Sequence, residues 1–179
     1  MDIEVLEEIE QTLHSKVYEN IEDWYKHEMT KKNKKITIIH INVRTLNMVK
    51  WTLLQTYLKN FKNIEIIVLT ENSLNEEQTQ FFTLKNFNLF TYHRKNRKGG
   101  GVAVYVKDNI ASTQIHTINF KTAENIEIIL EKKNMIINAV YRPPKTNIKE
   151  FIRELRRWIL HKDVEKNDHV NSMQGVLLH

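Results

Sequence analysis

Two apolar runs with a helical pattern between them dominate the first half of the chain. Residues 36–41 and 64–69 are apolar on both alternating faces, which is typical of strands covered on two sides. Between the runs, one stripe recurs at helical spacing: Leu46, Val49, Leu53 and Tyr57. Asn47 is a candidate N-cap of that helix. The order strand, helix, strand predicts two parallel neighbours in one sheet.

Each of these predicted strands is followed by a polar side chain that can do chemistry. Asn42 follows the first strand, and Glu71 follows the second. Because ligands bind outside the carboxyl ends of parallel strands, we expect both side chains at one edge. A carboxylate there can hold a hard divalent cation, since Mg²⁺ needs only one or two carboxylates plus substrate phosphates. The alternative interpretation of Glu71 is a solvated loop residue.

The next part of the chain predicts a short helix and then mainly antiparallel strands. Asn75 is a plausible cap for a helix that reaches Phe82. The predicted strands are residues 87–92, 102–106, 115–120, 126–130 and 135–141. The three glycines at 99–101 precede a strand, whereas nucleotide-binding loops follow a strand and open a helix. They therefore predict a bulge or a close backbone approach.

A second polar group lies at the end of the last predicted strand. Tyr141 and Arg142 stand there, before Pro143 and Pro144. Tyrosine can hydrogen-bond a phosphate, and arginine can bind one with two parallel hydrogen bonds. The alternative is a polar strand exit that two prolines keep rigid.

Asn147 and Glu150 resemble a capping box that opens a final helix. Its predicted apolar face is Ile148, Phe151, Ile152, Leu155 and Ile159. The periodicity is lost after Leu160, so residues 161–179 are predicted to form an unpatterned tail. At the other end, residues 1–30 read as one amphipathic helix followed by a basic linker. We therefore predict divisions at 1–35, 36–160 and 161–179.

Composition and charge narrow the function classes. The chain has 179 residues, a formal net charge of +5 and no cysteine. The charge favours a polyanion partner such as nucleic acid, although lysine-rich surfaces also serve solubility. Without cysteine, and with no HExxH spacing among the eight histidines, zinc sites and disulfides are not expected. No signal peptide or apolar run of ~20 residues is visible, which predicts an intracellular, nuclear or cytoplasmic protein without a membrane partner.

Four motifs in order resemble a known family. They are Ile41-Asn42-Val43, the segment 69–74 (similar to a T-E-T-W-L motif), the glycines with the strand 99–106, and Tyr141-Arg142-Pro143-Pro144 before a Phe151-bearing helix. Over residues 36–160 the chain resembles the amino-terminal half of the endonuclease/exonuclease/phosphatase family. Within that family it is most similar to the AP-endonuclease-like domain of non-LTR retrotransposons.

The resemblance implies a fold, a reaction and a set of roles. The fold would be α/β: a partial, DNase I-like four-layer sandwich with one mixed sheet, flanking helices and an amino-terminal helix. The reaction would be Mg²⁺- or Mn²⁺-dependent cleavage of a phosphodiester in DNA. Glu71 would hold the metal, and Asn42 would bind or orient it or orient a phosphate oxygen. Tyr141 would contact the scissile phosphate.

Two later motifs of the family, G-D-F-N and a closing S-D-H, have no clear counterpart here. Asp168 only superficially resembles either one, because no apolar strand precedes it. The chain is therefore expected to be truncated and inactive, with metal binding weak or lost. The alternatives are a non-catalytic nucleic-acid-binding module and an inert retrotransposon remnant. The inner face of the first sheet would have no partner within this half sandwich, so it would be exposed, or covered by the amino-terminal helix, a second copy or a partner. This predicts possible self-association through the sheet face or the amino-terminal helix.

Overall fold

The computed structural model describes residues 36–61, 63–93, 99–116, 119–133, 135–169 and 173–178. Beyond residue 161 it describes backbone elements only. The contacts divide the chain into two units, Met1–Lys35 and Ile36–His179. The predicted amino-terminal helix and basic linker lie outside the described residues.

The first sheet contains four strands in the order β1-β2-β4-β3. They are β1 (Ile38–Asn42), β2 (Ile66–Thr70), β3 (Phe87–Tyr92) and β4 (Val102–Lys107). Helix α1 (Met48–Leu58) joins β1 to β2, and these two strands pair in parallel as predicted. The β2–β4 and β3–β4 pairs are antiparallel. β2 is buried along its whole length, whereas β1 at the edge is only partly buried.

The second sheet contains four strands in the order β5-β6-β7-β8. They are β5 (Ser112–Ile115), β6 (Glu124–Leu130), β7 (Met135–Tyr141) and β8 (Met173–Leu178). The strand predicted at 115–120 is therefore misplaced, because β5 ends at Ile115. A 3₁₀ turn at Glu131–Lys133 joins β6 to β7, and helix α3 (Ile148–His169) joins β7 to β8.

The prediction of one mixed sheet is wrong, although the predicted α/β sandwich is confirmed. The two sheets share one apolar core, to which Ile66, Val68 and Val104 contribute from the first sheet. Ile126, Ile128 and Ile137 contribute from the second. The inner face of the first sheet, predicted to have no partner within the chain, is thus covered by the second sheet. Self-association through that face has no support among the described residues.

Asparagine caps open the first two helices, as the sequence predicts. The Asn47 side chain accepts a hydrogen bond from the backbone N–H of Lys50 at the start of α1. Asn75 accepts from the N–H of Gln78, whose side chain bonds back to Asn75, and this capping box opens α2 (Glu76–Thr79). Helix α2 ends at Thr79 and is therefore shorter than the helix predicted to reach Phe82.

The buried face of α1 differs from the predicted stripe. Val49 and Leu53 are 70% and 65% exposed, whereas Trp51 is 3% exposed. The Trp51 ring stacks on Tyr105 at 5.6 Å and meets Phe82 edge-on at 5.9 Å between ring centroids. The larger aromatic surface gains more from burial, so it selects the face of the helix that packs on the sheet.

Helix α3 is opened by Asn147, whose side chain accepts from the N–H groups of Lys149 and Glu150 at 2.9 and 3.2 Å. Phe151 and Leu155 of the predicted face are buried, but Ile148 is exposed. Sequence patterning misses Trp158, which is completely buried and packs against the second sheet.

The prediction of no element after Leu160 is wrong. Helix α3 continues to His169, and β8 then pairs in parallel with β7. Asp168 lies inside the helix rather than after a strand, which argues against it as the aspartate of a strand-end motif. No helix in the described ranges is long and apolar enough to cross a membrane.

The Glu154 carboxylate of α3 holds the segment that leads into β6. It accepts from the N–H of Lys121 at 2.9 Å, and from the N–H and hydroxyl of Thr122 at 3.1 and 2.5 Å. Burial raises the pKa of Glu154, whereas these hydrogen bonds and the charge of Arg157 lower it. The lowering effects are together the larger, so the pKa of Glu154 lies below its usual value. Folding therefore favours the ionised carboxylate.

We expect Glu154→Gln to lower the free energy of unfolding at neutral pH by about 2 kcal/mol, because it removes charge-assisted hydrogen bonds. The depressed pKa means that the contribution of Glu154 is present above its unfolded-state pKa. It is lost as the pH falls through the folded-state pKa. Urea unfolding at a series of pH values measures this difference. Glu150→Gln removes an exposed carboxylate in the first turn of the same helix and is the control, for which only the smaller effect of a charge at a helix N-terminus is expected. A pH-independent difference for Glu154→Gln would contradict the prediction.

Candidate active site

Strand register brings the candidate residues of the first sheet to one edge. Asn42 pairs with Thr70 across the parallel strands, and Thr70 pairs with Val102 across β2 and β4. The end of β1, the end of β2 and the start of β4 are therefore neighbours. Glu71 follows directly on Thr70, so it lies at this edge beside Asn42.

The second sheet meets the first at the same edge. The backbone N–H of Gly101 donates to the carboxylate of Glu124 at 2.5 Å. Glu124 begins β6 and pairs in register with Tyr141, the last residue of β7. We call this edge the site rim, defined by Asn42, Glu71, Gly101, Glu124 and Tyr141.

The Asn42 side chain is held at both of its polar atoms. Its Nδ2 donates to Glu71 Oε1 at 2.9 Å, and its Oδ1 accepts from the N–H of Arg44 at 3.0 Å. Because the Arg44 N–H needs an acceptor, the amide must have this orientation, with its nitrogen toward the carboxylate. The predicted proximity of Asn42 and Glu71 is thus present, while their roles stay predictions.

The loops that follow β1 and β2 (residues 43–47 and 71–75) both contain unfavourable backbone conformations. Four non-glycine residues have positive φ values of 42°, 70°, 56° and 56°: Arg44, Thr45, Glu71 and Ser73. Such conformations cost about 1–3 kcal/mol each and persist only where the surrounding structure enforces them. Their concentration beside Asn42 and Glu71 supports a functional role for this edge.

Hydrogen bonds between the loops enforce these conformations. The N–H of Thr45 donates to the carbonyl of Glu71 at 2.6 Å, and the N–H of Leu46 donates to that of Asn72 at 2.9 Å. The hydroxyls of Thr45 and Ser73 are 3.1 Å apart. The backbone of Glu71 is therefore held by the loop that follows β1.

Gly101 allows the close backbone approach that its motif predicts. A Cβ atom at Gly101 would lie 2.7 Å from Asn72 Oδ1, and Gly101 has a φ of +87°. The buried Asn72 uses that same oxygen to accept from the N–H of Leu74 at 2.9 Å. A side chain at Gly101 would therefore displace Asn72, the neighbour of Glu71.

Tyr141 and Arg142 take different positions at the end of β7. Tyr141 is buried in the core between the sheets, at the site rim. Arg142 Nη1 donates to the carbonyls of Pro143 and Thr146 at 3.3 and 3.4 Å. Its guanidinium also lies 6.0 Å from the centre of the Phe151 ring. Arg142 thus stabilises its own loop, in line with the alternative interpretation of this strand exit.

The sequence does not predict the part of two residues, one in the site rim and one that contacts the loop after β1. Glu124 is a buried carboxylate at the start of a strand, and a charge next to an apolar run is the signal that could have found it. Lys50 contacts backbone carbonyls after β1, and its position in the first turn of a helix is the corresponding signal. His40 of β1 is half-buried, and its Nε2 lies 3.1 Å from the Thr70 hydroxyl.

The oxygen ligands at the site rim suit a divalent cation only if the substrate supplies further ligands. Within the described ranges, no group of three or more His, Cys, Asp or Glu could hold a metal ion. Glu71 offers a carboxylate, with one oxygen bonded to Asn42. Mg²⁺ commonly keeps several waters and binds one or two carboxylates plus substrate phosphates. The site rim therefore fits a cation that a substrate helps to hold, rather than a closed protein site.

Comparison with solved structures identifies the fold. The AP endonuclease LMAP from Leishmania major matches with a TM-score of 0.57 at 12% identity, over 80% of this chain and 54% of that protein. TDP2 from D. rerio, crystallised with a single-stranded DNA product, matches with a TM-score of 0.54 at 14% identity, over 82% and 60%. The chain shares the DNase I-like α/β fold with these proteins. The chain spans less than two thirds of either protein.

A third match is the endonuclease domain of TRAS1, described as a telomere-specific non-LTR retrotransposon. Its TM-score is 0.47 at 14% identity, over 79% of this chain and 58% of that domain. This value is too low to support an argument about origin. No family model and no curated protein matches the chain. At these identities, the comparisons establish the DNase I-like fold alone.

Gly99 and Gly101 provide a matched test of the site rim. Both have positive φ, but a Cβ at Gly99 would meet nothing within 4 Å. We expect Gly99→Ala to destabilise the protein by about 1–2 kcal/mol through its backbone conformation. Gly101→Ala should cost about 1–3 kcal/mol more, because it also collides with Asn72. Urea unfolding measures both; equal losses would show that the Asn72 contact is unimportant.

Proposed function

We propose that the site rim cleaves phosphodiesters in DNA with the help of Mg²⁺ or Mn²⁺. The observation that carries this proposal is the 2.9 Å hydrogen bond from Asn42 to Glu71, at the carboxyl ends of two parallel strands. This is the position where open α/β sheets bind ligands. The strained backbone of both loops adds support.

Glu71 is the proposed cation ligand. The hydrogen bond from Asn42 occupies Oε1 and orients the carboxylate, which leaves Oε2 to face the cation. A cation bound there would polarise the phosphate and lower the pKa of a bound water. We therefore propose that Asn42 orients the Glu71 carboxylate. Asn42 would also orient the metal or a phosphate oxygen of the substrate.

Tyr141 is the proposed contact to the scissile phosphate. Its place at the end of β7, opposite Glu124 in register, puts it on the same rim as Glu71. Tyr141 is buried between the sheets, and such packing would restrict the ring and preorganise its hydroxyl. A preorganised donor helps the transition state more than a mobile one, because it needs no reordering during the reaction.

DNA is the proposed substrate, and a non-LTR retrotransposon endonuclease is the proposed origin. The net charge supports the first proposal, and the motif resemblance supports both. Among proteins of this fold, LMAP is an AP endonuclease and the D. rerio TDP2 structure contains a DNA product. Because clear G-D-F-N and S-D-H motifs are absent from the sequence, we expect turnover to be slow.

Cleavage of supercoiled plasmid with Mg²⁺ tests the function directly. If the chain nicks, we expect Glu71→Gln to lower the rate by roughly 100-fold or more, because it removes the charge but keeps the shape. Asn42→Ala should weaken Mn²⁺ binding by roughly 10–100-fold, as for other residues that orient metal ligands. Titration calorimetry with Mn²⁺ measures the second effect without any need for turnover.

Glu76→Gln is the matched control, since Glu76 is an exposed glutamate in the first turn of α2. It should change neither the nicking rate nor Mn²⁺ affinity. Nicking that survives Glu71→Gln at full rate would show that Glu71 is not the ligand. A wild-type chain that binds no Mn²⁺ and nicks no DNA would rule out cleavage by this chain.

The second candidate is a module that binds nucleic acid without cutting it. The net charge of +5 and the exposed Arg44 beside the site rim favour it. Binding would then rest on phosphate contacts, so affinity for DNA should fall steeply as salt rises. Fluorescence anisotropy with a labelled duplex between low and physiological salt measures the slope. Affinity that is independent of salt would exclude this candidate.

A further inference from the structure

The ammonium group of Lys50 contacts three consecutive backbone carbonyls. Its Nζ lies 2.7 Å from the oxygen of Val43, 2.7 Å from that of Arg44 and 3.0 Å from that of Thr45. An ammonium group has three donors, so these carbonyls match its full hydrogen-bonding capacity. The carbonyls of one short loop therefore converge on a single positive charge.

The position of Lys50 contradicts the preference of its own helix. It lies in the first turn of α1, where its backbone N–H donates to the cap residue Asn47. The positive end of the helix dipole disfavours a cation at this place. Residues that violate a local preference often serve a site, and here the compensating contact is the group of loop carbonyls.

This loop is the one that holds the backbone of Glu71. Thr45 offers its carbonyl to Lys50 and its N–H to the carbonyl of Glu71, at 3.0 and 2.6 Å. Thr45 thus links the Lys50 ammonium group to the backbone of Glu71, the candidate cation ligand. Thr45 and Arg44 both have positive φ, so the loop needs external contacts to keep its shape.

We propose that the carbonyls of Val43, Arg44 and Thr45 form a cage for a small monovalent cation, which the Lys50 ammonium fills. Lys50 is accordingly a positioning residue for Glu71. Backbone carbonyls that converge in this way also replace the hydration shell of K⁺ in ion-selective sites. The effect on Glu71 rests on the proposed function, whereas the cage does not.

Amide hydrogen exchange of the full-length chain tests the cage. In a buffer whose only monovalent cation is tetramethylammonium, Lys50→Ala should lower the protection of the Thr45 and Leu46 amides by roughly tenfold or more. Adding K⁺ or methylammonium at constant ionic strength should restore it, because these cations are small enough for the vacated cage. Lys50→Met should lose protection without rescue, because its side chain still fills the space.

Lys149→Ala is the control for the charge, since Lys149 is an exposed lysine in the first turn of α3. It should leave the Thr45 and Leu46 amides unchanged. Unchanged protection in Lys50→Ala, or a loss that neither K⁺ nor methylammonium reverses while the core amides of β2 stay protected, overturns the cage. If Lys50→Ala does not fold, Lys50→Met and Lys50→Arg decide, with protection expected only in the arginine variant.

Mn²⁺ affinity tests the link to Glu71 separately. Lys50→Ala should weaken Mn²⁺ binding by roughly 10–100-fold, with recovery on addition of K⁺. If K⁺ restores amide protection but Mn²⁺ affinity never changes, Lys50 holds the loop and does not position the metal ligand. If the wild-type chain binds no Mn²⁺, the proposed function fails, and amide exchange alone then decides the cage.

Discussion

A buried hydrogen bond from the N–H of Gly101 to the carboxylate of Glu124 joins the two sheets at the edge where the candidate residues meet. Glu124 is only 6% exposed, and a buried carboxylate is costly unless hydrogen bonds compensate it. The bond also fixes the glycine segment against which Asn72 packs. The geometry around Glu71 therefore depends on a contact between sheets, not only on the strand that precedes it.

The core supports a rim that is strained. Apolar side chains of both sheets fill the interior, and β2 is buried throughout. At its carboxyl end the chain passes at once into residues with positive φ, at Glu71 and Ser73. Strain of this kind persists because the surrounding contacts outweigh it, and it keeps polar side chains in place before any ligand arrives. The Lys50 ammonium group and the hydrogen bonds between the loops after β1 and β2 also hold this backbone in place. They lie on the β1 side of Glu71, whereas Gly101 lies on the β4 side.

Local patterns predict the elements and one site pair well. The caps Asn47 and Asn75, the strands 87–92 and 135–141, and the meeting of Asn42 with Glu71 follow from periodicity, capping chemistry and the parallel-strand rule. The buried face of α1 does not follow. The pair Val49 and Leu53 and the pair Trp51 and Leu58 each lie on one face of a helix. The contacts of Trp51 with Tyr105 and Phe82 determine which of the two faces is buried. Strand β8 was missed because few residues of the tail show any periodicity.

By itself, the sequence determined the order of most strands and helices between residues 36 and 160, the α/β class, and which polar side chains follow the two parallel strands. Only the tertiary structure decided that the strands divide into two sheets, that these sheets cover each other, that Glu124 bonds to Gly101 at the rim, and that Lys50 contacts the loop after β1. The physical reason is that periodicity reports on neighbours along one element. The bond between Gly101 and Glu124 joins residues 23 positions apart on different sheets, and that between Asn42 and Glu71 spans 29. The second could be predicted because a rule relates parallel strand ends, whereas no such rule relates the edges of two packed sheets.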